Sequence, residues 1–175
     1  MPGLRMRGFS LFEFVVVIVA IAILAGLLLL RVLPLIGQAE RVAYLQTKQQ
    51  LQSALLLEAA ERVVRGESQS LASLAGSNPI DLLLQPPANY VGTIAGSDGK
   101  SLPRRSWLFD EDEKLLIYVP GSQAKFDPLD GPADRIQLMV SFVYRDRDAD
   151  GTFNASVDHF DGLRLESVNP YSWPN

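Results

Sequence analysis

"RGFSLFEFVVVIVAIAILAGLLLLR", residues 7–31, decides how the rest of the chain is read. From Phe14 to Leu30 there is no charge, and between Phe9 and Leu30 only Ser10, Glu13 and Gly26 leave the apolar set. A helix needs about 20 such residues to cross a hydrocarbon core of roughly 30 Å. A helix that is apolar all round must be covered completely. With 175 residues in total, the remaining chain is too small to do this. The segment predicts a membrane-crossing helix.

Arg5 and Arg7 precede the run, and no acid comes before Glu13. The positive flank stays in the cytoplasm, so the bulk of the chain is exported. A cleaved secretory signal would have a shorter apolar stretch and a small-residue cleavage site. Here Arg31 leads into "VLPLIGQAERVAYLQ" instead, so the segment reads as a retained anchor. From Gln38 onward there are 13 Lys+Arg against 19 Asp+Glu, a net charge of −6. Such a domain is a poor nucleic-acid surface, and the single basic doublet, Arg104 and Arg105, does not change that. Cysteine is absent, so no disulfide supports the fold in an oxidising compartment.

Five zones follow along the chain: a basic leader 1–8, an apolar helix 9–33, an amphipathic helix 34–65, a connecting region 66–106 and an antiparallel sheet domain 107–175. In the second helical zone Val42, Leu45, Leu56, Ala60 and Val63 share one narrow sector, the expected core stripe. Glu58 with Arg62 and Glu61 with Arg65 are spaced for a solvated face. Gly66 is the expected stop. Pro34 and Gly37 predict a kink or local unwinding. Unbroken, the helix would run roughly 85 Å.

The connecting region is rich in Gly, Ser, Pro and Asn. Beyond it, Trp107–Phe109 and Leu115–Val119 flank the acidic turn Asp110–Glu113 as a hairpin. "IQLMVSFVY" at 136–144 alternates, with Ile136, Leu138, Val140, Phe142 and Tyr144 on one face. "LRLESV" at 163–168 is placed to pair back onto it. "NPYSWPN" reads as a stiff tail, in which Tyr171 and Trp173 are candidate interface anchors; Trp107 is a third, with core or loop packing the safer reading for it. The expected class is α+β, a long N-terminal helix packed on a small antiparallel sheet.

The front of the chain resembles the N-terminal signature of type IV pilins and of the pseudopilins of type II secretion systems. Gly8, Phe9, Ser10, Leu11 and Glu13, followed by the uncharged run, stand at the matching positions. The resemblance implies a precursor inserted in the bacterial inner membrane by a single span, N-terminus cytoplasmic and C-terminal domain periplasmic. It implies that prepilin peptidase cuts between Gly8 and Phe9 and that Phe9 is N-methylated. The subunit then enters a pilus or pseudopilus with other pilin or pseudopilin subunits, on an inner-membrane assembly platform. Glu13 would pair with the new amine of a neighbouring subunit, because an unpaired carboxylate toward the bilayer centre costs on the order of 2.5–3.5 kcal/mol or more. Its bland alternative is to snorkel to the cytoplasmic headgroups. The missing cysteines favour a minor pilin or pseudopilin over a major pilin of a surface pilus. Outside the family the rival is a single-pass anchored binding module.

"RDRDADGTFNASVD" presents Asp146, Asp148, Asp150 and Thr152 at alternate positions around Gly151. Side chains so spaced converge in a calcium loop, and the glycine permits its sharp turn. The twelfth position is Val157, so the match is incomplete, and Asp158 or Asp161 could supply the missing carboxylate. The alternative is a solvated acidic turn. The lone histidine, His159, has only Ser156 nearby, and no phosphate loop, dinucleotide fingerprint or zinc spacing occurs. No enzyme is expected.

Overall fold

The computed structural model describes residues 10–122, 124 and 126–173, with the backbone alone for Leu33 and Pro34. Helix α1 runs from Leu11 to Val64 without a break. The helical pattern continues through Pro34 and Gly37, so no unwinding occurs there. The helix ends where sequence places it. Gly66 adopts φ +77°, Gly66 N donates to Val63 O at 3.0 Å and Glu67 N to Arg62 O at 2.8 Å. This pair of bonds is a Schellman stop, which needs the left-handed residue that glycine supplies.

The connecting region is more ordered than its composition predicts. It forms two 3₁₀ segments, Ser68–Leu74 and Pro79–Leu82, and then strand β1, Tyr90–Ile94. The remaining strands are β2 (Ser106–Asp110), β3 (Leu115–Val119), β4 (Asp127–Pro128), β5 (Ile136–Arg145), β6 (His159–Ser167) and β7 (Tyr171–Ser172). Five of them form one sheet in the order β1-β2-β3-β5-β6, and β4 pairs with β7. All neighbours are antiparallel except β1 and β2, which run parallel. The sheet is therefore mixed. An antiparallel sheet confined to 107–175 is corrected by one strand borrowed from the connecting region.

The second half of α1 covers one face of this sheet, but not with the stripe expected from sequence. Tyr44, Leu51, Leu55 and Ala59 are buried, whereas Val42, Leu45, Leu56, Ala60 and Val63 are exposed. The reason is aromatic. Tyr44 stacks on Trp107 with centroids 5.5 Å apart, and Tyr118 and Trp173 lie 5.1 and 5.4 Å from it. Burying four large rings outweighs a sector of smaller aliphatics, since aromatics carry the greater area per side chain. Trp173 thus belongs to the core, and the tail enters strand β7.

Strands β2 and β3 are buried on both faces. Leu108, Leu115, Ile117 and Val119 turn away from the helix and are covered by Ile94 and Leu102. The acidic turn between them is only partly solvated. Asp110 is fully buried, and its Oδ1 accepts from Gly96 N, Asp112 N and Glu113 N. It ties the turn to the segment that covers the outer face.

Candidate functional site

Two regions carry the sequence-predicted site residues, and they lie at opposite ends of α1. At the start, Ser10 is the N-cap. Its Oγ accepts from Glu13 N at 3.2 Å, and Ser10 N donates to Glu13 Oε2 at 3.4 Å. This reciprocal capping box satisfies two of the orphan N–H groups of the first turn. Glu13 also places a negative charge where the helix dipole favours it. Gly8 and Phe9 lie outside the described residues.

From Leu11 to Val32 every residue is exposed, and the most apolar window of α1 has 0% of its residues buried inside the fold. The N-terminal half of α1 is long and apolar enough to cross a membrane. The domain first grips the helix just beyond it. Glu40 is buried, with Oε1 accepting from Tyr118 Oη at 3.0 Å and from Gly121 N at 2.6 Å. Its Oε2 lies 3.3 Å from Arg105 Nε. Sequence reading gave Glu40 no role, because an acid at a buried helix position has no local signature. Arg104 of the basic doublet donates to Pro120 O in the same corner.

The acidic loop lies at the other end. Carboxylate oxygens of Asp146, Asp148 and Asp158 all fall within 4.8 Å of one another. Asp150 is not one of the three. Asp150 Oδ1 accepts from Thr152 N at 2.7 Å and from its Oγ1 at 2.8 Å, closing a local turn. Asp158 comes from the returning chain and binds it back, accepting from Arg147 N and Asn154 N. Asp161 is engaged elsewhere, 3.7 Å from Arg145 and 3.6 Å from the exposed His159.

The electrostatics follow from that crowding. Asp146 is held below the usual carboxylate range, chiefly by backbone N–H of Gly151 and also by that of Ala149. Asp148 is pushed up, first by desolvation, then by its shared hydrogen bond with Asp146 and by the charges of Asp150 and Asp158. Three converging carboxylates on a tightly bonded loop offer the hard oxygen ligands a divalent cation takes.

The loop is tied to the helical layer by one side chain that sequence reading missed. Gln69 Nε2 donates to Phe153 O at 2.7 Å, and Ala155 N donates to Gln69 Oε1 at 2.9 Å. Gln52 does the same to the free edge of β6, donating to Leu163 O and accepting from Leu165 N, both at 2.8 Å. Each amide copies the donor–acceptor pair of a neighbouring strand, and Gln52 thereby blunts an open sheet edge. Glutamine has no pattern in sequence that announces such a contact.

No family model, no curated protein and no solved structure matches the chain.

Proposed function

We propose that this chain is a filament subunit of type IV pilin-like kind, a minor pilin or pseudopilin, whose work is mechanical. One observation carries the reading: a domain that grips only the second half of its helix leaves the first half bare and uncharged, with an acid at its very start. The bare half anchors the precursor in the inner membrane and afterwards packs among equivalent helices. Cleavage after Gly8 liberates the amine of Phe9, and Glu13 of one subunit neutralises the amine of the next. A buried ion pair of this kind is a good candidate for setting axial register.

N-terminal sequencing of the mature protein tests the first step. A start at Phe9 supports the reading, and a start at Met1 favours a plain anchored binding module. Glu13→Leu should leave membrane insertion intact and lower incorporation into sheared filaments; undiminished incorporation would sink the pairing.

The acidic loop fits calcium held by Asp146, Asp148 and Asp158, which would stiffen the exposed end of the domain. Calorimetric titration of the detergent-solubilised chain should give heat at millimolar calcium, reduced in Asp148→Asn. Absence of heat removes the metal and leaves the anchor untouched.

A further inference from the structure

The exposed stripe of α1 has a regularity of its own. Leu35, Val42, Gln49, Leu56 and Val63 recur at every seventh position, and the stripe runs into the bare half, where every residue from Phe14 to Leu30 except Gly26 is apolar. All are exposed, the four apolar ones beyond the bare half at 49–56%. Ser53 and Ala60 lie beside this line and leave room for close approach, and Leu45 broadens it. At about 100° per residue, each charged residue of α1 beyond Arg31 sits at least about 100° around the helix from Val42. The domain carries a net charge of −6, yet the line from Leu35 to Val63 carries none, and the charges that flank it beside Leu45, Arg41 and Lys48, are basic.

We propose that this face pairs with the same face of a second copy of the chain, parallel and in register, while both are anchored in the membrane. The proposal rests on reading the bare half as a membrane anchor. Two copies anchored in one bilayer with one topology are necessarily parallel and at equal height, so each stripe meets its own counterpart. A seven-residue spacing drifts by only about 20° per step on a straight helix, so from Leu35 to Val63 the stripe stays on one side and can face a parallel helix along its length. An uncharged stripe lets two acidic domains approach without like charges facing. Gln49 sits alone in the middle of the apolar series, and its amide both donates and accepts. It is therefore complementary to itself across a two-fold seam, and a single polar residue at such a position specifies register. Beside it a groove of about 730 Å³, lined by Gln46, Gln50, Leu57 and the fully exposed Leu84, gives the partner helix a wall.

The chain has no cysteine, so an introduced one reports alone. Val42→Cys, Leu56→Cys and Glu61→Cys are made in the full-length chain, expressed without assembly partners and oxidised in native membranes. Glu61 is exposed on another side of the helix and reports random collision. Disulfide-linked dimer at Val42→Cys and Leu56→Cys, and little at Glu61→Cys, supports the pair. Leu56→Glu in lipid nanodiscs should weaken dimerisation roughly tenfold or more. Equal cross-linking at all three positions overturns the pairing, as does cross-linking only to other proteins. Chain in the membrane fraction with no cross-link at any position also overturns it, with the anchor intact. Chain in the soluble fraction overturns both.

Discussion

The two halves of α1 are made of similar residues and meet opposite fates. From Leu11 to Val32 the helix is exposed on every side, and from Phe14 to Leu30 it carries no charge on any side. From Leu35 to Val64 it has two apolar faces, one sealed by Tyr44, Leu51, Leu55 and Ala59 against the sheet and one left open. Hydrophobicity alone does not say what a helix packs against. What separates the halves is the supply of partners, since only the second half faces Trp107, Tyr118 and Leu138.

Adjacent residues on the second half give the largest contrast. Leu55→Ala should destabilise the domain by about 2–5 kcal/mol, because a fully buried leucine leaves a cavity. Leu56→Ala, one position on, should stay within about 0.5 kcal/mol. Urea unfolding of the detergent-solubilised chain, followed by fluorescence of the two buried tryptophans, measures both. Equal losses would erase the distinction between the faces.

The junction of the halves comes next. Glu40→Ala leaves Gly121 N and Tyr118 Oη without their acceptor, an expected loss of about 1–3 kcal/mol by the same unfolding assay. Gly121→Ala attacks the corner from the other side, since its Cβ would stand 2.5 Å from Arg105 Nε and 2.7 Å from Glu40 Oε2. If both variants unfold like the parent, the helix is not gripped there and the boundary between halves is misplaced.

Two smaller tests sharpen how the second half holds the sheet. Gln52→Ala should cost about 1–2 kcal/mol and raise hydrogen exchange at Leu165 N, the amide it satisfies. Acid should weaken the fold through Asp110. Burial opposes its ionisation, but the backbone N–H groups of Glu113, Asp112 and Gly96 hold it below the usual carboxylate range. A depressed folded pKa gives stability that is complete above the unfolded value of about 3.9 and is lost as pH falls through the folded one. Asp110→Asn should therefore flatten the decline in unfolding midpoint below about pH 4. An unchanged slope would mean the carboxylate does not hold the hairpin.

Much of the fold is legible in the sequence. Gly66 stopped the helix within two residues of the expected end, and the alternation at Ile136, Leu138 and Val140 placed β5 with its inward face correct. Strand β1 was not legible, because Tyr90–Ile94 carries Gly92 at φ +118° inside a loop-like composition and pairs with β2 through long-range hydrogen bonds. Of the candidate site, Asp146 and Asp148 came together as their spacing required. Asp150 instead turned to Thr152, and Asp158 joined from the bend just before β6.

The sequence by itself determined the elements that depend on local chemistry: an uncharged run of membrane length, a glycine stop, an alternating strand. Only the tertiary structure decided which of two apolar stripes became core. That choice depends on the shape and area of what lies opposite, four aromatic rings brought together from residues 44, 107, 118 and 173, and no periodicity within a single helix contains it.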